Sequence, residues 1–235
     1  MSLLDQLEAM WRGLSIAERL AEAERLKADW WFSKQVRILD PLTTFIGQNV
    51  DIGQDTVIGP NVIILGPTKI GRSCKIGPDT IIESSTLEWN VRVGPFCRIR
   101  EGSHLEHDAY VGTHVELKNC RIGAETKIPH RAYIGDAEIG KHCNIGAGFT
   151  TANWDGENHS RTKLGDGVFV GINVSLVAPV TIADEVGVAA GSVISKDITT
   201  PHSLAICRAR TTKIIPDRVY RTDKGWRGLS KRCSP

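Results

Sequence analysis

Residues 50–77 are VDIGQDTVIGPNVIILGPTKIGRSCKIG, and within them an aliphatic residue returns at every sixth position. The same spacing continues with few interruptions from Ile46 to Ile194. Each aliphatic position in that range holds Ile, Val or Leu, and the 24 positions are 46, 52, 58, 64, 70, 76, 82, 87, 93, 99, 105, 111, 117, 122, 128, 134, 139, 145, 164, 170, 176, 182, 188 and 194. A short internal period of this kind predicts a solenoid, because each repeat buries its apolar side against the repeats beside it.

A second set of 24 residues stands two positions before the aliphatic ones, from Thr44 to Ser192, and each is Val, Thr, Ser, Cys or Ala. Side chains two positions apart on a strand point to the same side, so both sets fill one interior. Glycine often follows the aliphatic residue, as at Gly53 and Gly71, where we expect the chain to turn. Three strands per triangular turn predict an all-β protein, a parallel β-helix of about eight coils.

The period is interrupted in two ways. It shortens to five residues at 82–87, 117–122 and 134–139, and it lengthens to nineteen between Ile145 and Leu164. The long interruption holds residues 146–163, GAGFTTANWDGENHSRTK, which are rich in Gly, Asn and Asp. Such a composition on a rigid scaffold predicts a binding loop inserted between two strands.

Size and charge exclude some functions. The 235 residues are 41% hydrophobic, enough for one substantial core. A formal net charge of +2 gives no bulk attraction to nucleic acid or to a membrane surface, and we expect neither partner. The first residues, MSLLDQLEAMWRG, do not resemble a signal peptide, and no stretch has the length of a transmembrane helix. We therefore expect a cytoplasmic protein.

The six cysteines show no C-x-x-C pair and no zinc spacing, so neither a disulfide framework nor a metal site is predicted. Four of them, Cys74, Cys97, Cys120 and Cys143, fall on the small interior positions of the repeat. We interpret these four as buried core residues and not as nucleophiles or ligands.

Three regions follow from the pattern. Residues 1–40 are expected to form short helices, with a capping box at Ser15-x-x-Glu18. Residues 41–200 form the β-helix with its loop insertion at 146–163, and residues 201–235 form a basic, irregular tail. The apolar stripe of the first region is expected to pack on the first coil or on a neighbouring subunit.

His130 is the first candidate for chemistry. It lies two residues after Ile128 in KIPHRAYIGDAEIG and therefore points outward, so it is not a core residue. Imidazole titrates near neutral pH and is a common catalytic base. An exposed histidine without a role is the alternative that spacing alone leaves open.

Residues 90–210 resemble the C-terminal acetyltransferase domain of the bifunctional N-acetylglucosamine-1-phosphate uridyltransferase/glucosamine-1-phosphate acetyltransferase, a hexapeptide-repeat acyltransferase. The matching stretches are VGPFCRIREG, VGTHVELKNCRIG, HRAYIGDAEIG, NIGAGFTTANWDG, GDGVFVG, LVAPVTI, AAGSVISKD and LAICRA. The resemblance implies a left-handed β-helix, a homotrimer with sites shared between subunits, and acetyl-CoA as the acyl donor without a metal. It also implies an amino-sugar phosphate as acceptor, with glucosamine 1-phosphate as the first candidate and cell-wall precursors as the product class.

The family's functional positions map onto this chain as follows. His130 would be the general base and Glu116 would orient it; Arg100, Lys118, Tyr133 and Asn144 would bind the sugar phosphate; and Ala147, Asn153, Trp154, Ala190 and Arg208 would bind acetyl-CoA. A base is required because an ammonium group cannot attack a thioester. Fixed cations are the natural partners of a sugar phosphate.

Several departures bear on the acceptor. The family's nucleotidyltransferase domain has no counterpart in this sequence, so we do not expect synthesis of UDP-sugars. The loop pair is Asn153-Trp154 where the family has asparagine and tyrosine, His159 stands for a lysine, and Ile172 stands for a serine near the acetyl group. The alternatives are an acetyltransferase for another amino or hydroxy sugar, including nucleotide sugars, and a non-catalytic trimeric scaffold. A zinc carbonic anhydrase using His104, His107 and His114 is a third class, which no matching ligand pattern supports.

Overall fold

The computed structural model describes residues 13–28, 35–47, 49–207, 218–221 and 225–228. Its central feature is a parallel β-helix whose short strands stack in three faces, which we name A, B and C. The predicted fold class is confirmed. Strands on one face pair in register with the strand one coil away, as Asp51–Ile52 does with Lys69–Ile70. Successive coils are therefore separated by the interstrand distance of about 4.8 Å.

Faces A and B share two long strands, Tyr110–Lys118 and Lys127–Gly135, which turn the corner between them. The other strands of face A are Arg37–Ile38, Val57–Ile58, Lys75–Ile76, Arg92–Val93, Asn144–Ile145, Phe169–Val170, Gly187–Val188 and Leu204–Ala205. The other strands of face B are Phe45–Ile46, Ile63–Leu65, Ile81–Glu83, Arg98–Ile99, Thr150–Ala152, Ser175–Val177 and Val193–Ile194. Face C holds Asp51–Ile52, Lys69–Ile70, Thr86–Leu87, His104–Leu105, Arg121–Ile122, Ala137–Ile139, Thr162–Leu164 and Val180–Ile182.

The interior is filled as the repeat predicts. All 24 aliphatic positions and all 24 small positions are buried. Several polar residues at the small positions bond to the backbone of the next coil, since a buried hydroxyl needs a partner, whereas Thr162 Oγ1 is buried without one among the described residues. Thr56 Oγ1, for example, donates to the carbonyl of Gly71 at 2.9 Å and accepts from the N–H of Cys74 at 3.0 Å. The small positions therefore fill space and also connect one coil to the next.

The glycines after the aliphatic residues have a different role from the one expected. A Cβ on Gly71 would lie 2.7 Å from the backbone carbon of Glu88 and 2.7 Å from the nitrogen of Trp89. Glycine is needed there because adjacent coils touch. The positive-φ turn residue comes three positions after most aliphatic residues and is often polar, as at Asn61 and Asn90, in agreement with the tolerance of asparagine for this conformation.

The β-helix is longer at both ends than residues 41–200. Arg37–Ile38 pairs with Val57–Ile58, and Leu204–Ala205 pairs with Gly187–Val188. These added strands give about nine coils instead of eight. The expected irregular tail contains an antiparallel pair, Arg218–Arg221 with Gly225–Gly228.

Helix Ile16–Ala28 begins with the predicted capping box. Ser15 N–H and Ser15 Oγ each lie 2.7 Å from Glu18 Oε2, and the Glu18 N–H donates to Ser15 Oγ at 3.3 Å. The remainder of the expected N-terminal helices, residues 1–12, lies outside the described residues. No helix among the described residues has the length and apolarity to cross a membrane.

The expected loop 146–163 is shorter in the structure. Thr150–Ala152 is a strand of face B, with Phe149 and Thr151 buried beneath it. Here Phe149 takes the small position and Thr151 takes the aliphatic one, so the pattern is inverted and predicts a loop where the structure has a strand. The segment outside the β-helix is residues 153–161, which we name the 153–161 loop.

The contact between coils can be tested with two alanine substitutions. We expect Gly71→Ala to destabilise the protein by about 1–3 kcal/mol, because its Cβ would press on backbone atoms that cannot move aside. Gly47→Ala is the matched control, since its Cβ would lie 3.5 Å from the nearest atom, the Ile64 carbonyl oxygen. Its effect should stay within about 1 kcal/mol. Urea unfolding followed by circular dichroism measures both, and equal midpoints for the two variants would contradict the assignment.

Candidate active site

Four of the predicted site residues project outward from three successive strands of face B. Glu116 pairs with Arg98 on one side and with Tyr133 on the other. The Arg100 N–H donates to the carbonyl of Leu117 at 2.8 Å, which sets Arg100 beside Lys118. The sequence-predicted Arg100, Glu116, Lys118 and Tyr133 therefore form one patch.

Within this patch, Arg100 and Glu116 form a hydrogen-bonded ion pair. Arg100 Nη1 donates to Glu116 Oε1 at 3.1 Å, and Arg100 Nε lies 3.6 Å from Glu101 Oε2. Burial disfavours the charge on Arg100, but the hydrogen bond to Glu116 and the two carboxylates raise its pKa. Arg100 Nε is buried and has no hydrogen-bond partner among the described residues. The guanidinium thus remains charged and keeps an unused donor.

His130 lies at the corner between faces A and B. Its side chain is exposed, and it makes no hydrogen bond or ion pair with any residue in the described part of the chain. His130 pairs with Thr113 on the neighbouring strand. Glu116 lies three residues after Thr113 on that strand and pairs with Tyr133. Within this chain the Glu116 carboxylate contacts Arg100 and not the imidazole.

A column of small and apolar residues continues from His130 along the same corner. Each member lies two positions after an aliphatic residue of face A, and the members are His130, Ala147, Ile172 and Ala190. The backbone connects them directly: Gly148 donates to Arg131 at 2.7 Å, Asn173 to Ala147 at 2.8 Å, and Gly191 to Ile172 at 2.8 Å. We name this series the A/B column. Two of the residues predicted to bind acetyl-CoA, Ala147 and Ala190, therefore align with the predicted base.

The other two predicted coenzyme residues that the structure describes stand at the corner between faces B and C. Asn153 is buried and opens the 153–161 loop, and Trp154 next to it is exposed. The Trp154 ring lies against His159, with centroids 4.8 Å apart. Arg208 lies outside the described residues.

Asn144 is separated from the rest of the predicted sugar site. It projects from face A, where its register partners are Lys127 and Phe169. Lys118 and Tyr133 project from face B. Two faces of one prism do not converge on a single small ligand, so one chain alone does not bring all the predicted residues together.

Sequence reasoning missed an open hollow of about 330 Å³ beside Glu116, lined by Asp79, Phe96, Cys97, Arg98, His114, Val115 and Glu116. The Phe96 and His114 rings stack with centroids 5.2 Å apart and 19° between their planes. Both residues have positive φ. Their spacing of eighteen residues, one full coil, was the signal available in the sequence.

Sequence reasoning also missed Asp136, whose carboxylate is buried at the corner between faces B and C. It accepts hydrogen bonds from Asn119 and from Asn153, and it lies 3.0 Å from His159 Nδ1. An available signal was the five-residue spacing at 134–139, because Asp136 makes that shortened turn with φ of 49°.

The three histidines of the zinc alternative do not meet. His104 Nε2 lies 2.9 Å from Glu88 Oε1, and the backbone N–H of His107 donates to Glu88 Oε2 at 3.0 Å. His114 stacks on Phe96 at a different corner. This geometry offers no support for a site built from the three imidazoles.

Comparisons with known proteins address the family. A family model described as bacterial transferase hexapeptide (six repeats) matches residues 49–84, and one described as hexapeptide repeat of succinyl-transferase matches residues 161–196. The chain is 46% identical over 191 residues to the bifunctional protein GlmU of Thermotoga petrophila, covering 74% of this chain and 43% of that protein. It is 38% identical over 220 residues to the bifunctional protein GlmU of Halalkalibacterium halodurans, covering 85% of this chain and 48% of that protein.

Two parts of the chain match family models of hexapeptide repeats. The resemblance to the GlmU acetyltransferase domain that the sequence motifs indicated is confirmed. The chain spans less than half the length of these curated relatives. A solved structure of LpxA from Acinetobacter baumannii matches 74% of this chain and 72% of its own at 18% identity, with a TM-score of 0.43.

The cysteine interpretation can be tested by labelling. Burial raises the pKa of Cys74 and Cys143 to about 11 and that of Cys120 to about 12, and it also raises the pKa of Cys97. Cys207 is exposed. We expect iodoacetamide at pH 8 to label Cys207 within minutes and the four buried thiols after unfolding in urea, because the thiolate is the reactive form. Peptide mass spectrometry measures the labelling, and fast labelling of Cys120 in the native protein would contradict the buried assignment.

Proposed function

We propose that this chain is an acetyl-CoA-dependent sugar N-acetyltransferase whose acceptor is an amino-sugar phosphate, with glucosamine 1-phosphate as the first candidate. The observation that carries the proposal is the A/B column, in which an exposed histidine stands in line with small and apolar residues. The cations Arg100 and Lys118 lie at the other edge of face B, where Lys118 pairs with Gly135, five residues beyond His130. The similarity to the GlmU proteins supports the same reaction class. Acetyl transfer of this kind needs no metal.

His130 is proposed as the general base. The acceptor amine is protonated near neutral pH and has no lone pair to attack a thioester until a base removes a proton. The free imidazole accepts that proton as the nitrogen attacks the acetyl carbonyl carbon. The tetrahedral intermediate then collapses with cleavage of the C–S bond, and the leaving sulfur takes up the excess proton of the nitrogen, which gives the amide and the coenzyme thiol. No covalent enzyme intermediate is required, which agrees with the buried positions of Cys74, Cys97, Cys120 and Cys143.

Arg100 and Lys118 are proposed to hold the phosphate of the acceptor. Both project from face B, and guanidinium and ammonium groups are suited to phosphate oxygens. Glu116 fixes Arg100 through the 3.1 Å hydrogen bond, so the guanidinium is oriented before substrate arrives. The hollow of about 330 Å³ next to Glu116 lies at the lower end of the range for small-molecule sites. Tyr133 is proposed to contact the sugar ring.

Acetyl-CoA is proposed to lie along the A/B column. Ala147 and Ala190 leave room beside the backbone, and the exposed Ile172 between them offers an apolar surface to the pantetheine arm. Asn153 and Trp154 stand at the corner between faces B and C, so they would contact the coenzyme from the 153–161 loop of a neighbouring subunit, and Arg208 is suited to one of its phosphates. Ile172 replaces the serine expected near the acetyl group, so an acyl group larger than acetyl is an outcome that the donor assays below distinguish.

We propose that the active protein is a homotrimer, because Asn144 and the phosphate cations project from different faces of one chain. A neighbouring subunit that presents its face A to face B would bring Asn144 to Lys118 and Tyr133. Cyclic oligomers form such heterologous contacts between unlike faces and close on themselves. A complete site would then lie between two subunits.

The proposed base is tested by thiol release from acetyl-CoA in the presence of glucosamine 1-phosphate. We expect His130→Ala to lower kcat by about 10²- to 10⁴-fold, the usual contribution of a positioned general base. His142→Ala is the matched control, since His142 is also exposed at a corner but is paired with Glu125, and it should retain full activity.

The outcomes separate the alternatives. If the wild type acetylates another amino or hydroxy sugar, or a nucleotide sugar, and not glucosamine 1-phosphate, that sugar is the acceptor. Turnover with longer acyl donors would revise the acyl pocket. A wild type that binds neither acetyl-CoA nor CoA would overturn the proposal in favour of a non-catalytic scaffold.

Sharing of the site is tested by subunit complementation. Lys118→Ala and Asn144→Ala should each be strongly impaired alone. When the two variants are co-expressed, an interface that takes Lys118 from one subunit and Asn144 from the next is intact. Random assembly makes about a quarter of the interfaces intact, and activity should recover to about that fraction of wild type. No recovery would mean that both residues serve the same chain's site.

A further inference from the structure

Asp136 is an acidic residue held almost entirely out of water. It is 7% exposed, which is unusual for aspartate. Its N–H donates to the carbonyl of Lys118 at 3.0 Å, and φ of 49° turns its carboxylate toward the corner between faces B and C. A buried carboxylate is tolerated when its oxygens are fully hydrogen-bonded.

The partners of Asp136 join three parts of the chain. Asn119 Nδ2, one coil below, donates to Oδ1 at 2.6 Å. Asn153 Nδ2, one coil above, donates to Oδ2 at 2.5 Å, and His159 Nδ1 lies 3.0 Å from the same oxygen. The main-chain carbonyl of Asp136 also accepts from Thr162 N–H at 3.1 Å. Asp136 therefore contacts the 153–161 loop at its first residue, near its end, and at the strand that follows it.

The ionised form of Asp136 is the stable one in this environment. Burial alone would raise the pKa of the Asp136 carboxyl. Hydrogen bonds from Asn119 and Asn153 and the charges of His159 and Lys118 lower the pKa by more than burial raises it, so the net shift is downward. The carboxylate is then an acceptor for all three side chains at once.

The loop is folded around these contacts. Trp154 and His159 form an antiparallel bridge, the Ser160 N–H donates to the Asn153 carbonyl at 2.9 Å, and the Trp154 ring rests against the His159 ring. By holding His159, the carboxylate also determines where the exposed indole of Trp154 stands. By holding Asn153, it determines where that amide points.

The hydrogen-bond network around Asp136 also lies beside Tyr133, the residue proposed to contact the sugar ring. A Cβ on Gly135 would lie 2.6 Å from the Tyr133 hydroxyl and 2.8 Å from Asn153 Nδ2, so both groups crowd the same backbone atom. Asp136, Asn153 and Tyr133 are thus contiguous, although the Asp136 carboxylate is itself already engaged by Asn119, Asn153 and His159.

We infer that Asp136 is a positioning residue for the coenzyme: its carboxylate clamps both ends of the 153–161 loop and thereby fixes Asn153 and Trp154 in the arrangement that binds acetyl-CoA. The inference rests on the proposed function. It adds to that function a residue that acts through its neighbours and not by contact with either substrate.

The test is Asp136→Asn in the full chain, with binding of CoA measured by titration calorimetry and turnover measured with acetyl-CoA. The amide has the shape of the carboxylate but cannot accept from Asn119, Asn153 and His159 together. We expect CoA affinity to fall by about ten- to a hundredfold, as for the loss of hydrogen bonds to a charged group. The KM for acetyl-CoA should rise in parallel and by a larger factor than the KM for the sugar phosphate, because Asp136 holds Asn153 directly and reaches Tyr133 only through Asn153.

Asp108→Asn is the matched control. Asp108 also occupies a corner with positive φ and accepts hydrogen bonds from an asparagine and a histidine, Asn90 and His107, but it stands at the corner between faces C and A. We expect it to leave CoA affinity unchanged. His159→Gln is a second variant, at a half-exposed side chain that also contacts the Asp136 carboxylate, and it should weaken CoA binding selectively by several-fold.

Each result decides between named possibilities. A wild type that binds no CoA overturns the proposed function and this inference with it. A wild type that binds CoA, together with an unchanged affinity in a folded Asp136→Asn, overturns the inference alone. If Asp136→Asn does not fold, His159→Gln decides: selective loss of CoA affinity supports the clamp, and unchanged affinity overturns it. Equal losses for Asp136→Asn and Asp108→Asn would mean a general effect on stability and would also overturn it.

Discussion

The stacking of backbone on backbone at the interstrand distance constrains everything else in this molecule. Every coil must pair with the coils on both sides, so the period, the filled interior and the glycines at the contacts follow from one geometric requirement. Gly71 and Gly123 are examples, since a Cβ on Gly123 would lie 2.5 Å from the backbone carbon of Gly140. Each side chain points either inward, into a core that two residues per strand already fill, or outward, to the surface.

Because the interior is full, chemistry is confined to the outer surface, and register arranges that surface in columns. Residues at the same position of successive coils lie one above the other along the helix axis, about 4.8 Å apart. The A/B column runs from an exposed base through small residues in this way, and the Asn119–Asp136–Asn153 series builds a hydrogen-bond ladder in the same way. A long, narrow ligand is matched by such a column better than by a closed pocket, which agrees with the proposed position of the coenzyme.

The sequence alone was sufficient for the fold because periodicity is a property of many residues at once. All 24 predicted pairs of interior positions are buried, and no single residue had to be interpreted correctly. The errors occur where one or two residues decide the structure. Phe149 and Thr151 exchange the large and small positions, so the pattern predicts a loop where the structure has a strand. The pattern does not predict the first and last strands of the β-helix, because Ile38 and Ala205 lie outside the regular spacing.

The candidate site was predictable in part for the same reason. Resemblance supplied the residue types, and register shows that Arg100, Glu116, Lys118 and Tyr133 share a face, but it also sets Asn144 on another face. Asp136 was not predictable from residue type, since an aspartate in a turn is ordinary. What distinguishes it is that its partners come from one coil below and one coil above, contacts that local sequence does not specify.

The outer surface is divided between a face of paired charges and a corner with exposed apolar side chains. Face C carries acids and bases already paired across coils, with Arg121 on Glu106 and Arg161 on Glu138, and exposed pairs of this kind contribute little energy but keep the face solvated. Near the A/B corner the last coils expose Phe169, Ile172, Val193 and Leu204. Covering an exposed apolar side chain lowers the free energy of the protein by about 25 cal/mol per Å² of apolar area removed from water. A corner with uncovered apolar area and an exposed imidazole therefore gains more from a bound acyl donor or a neighbouring subunit than a face whose charges are already paired.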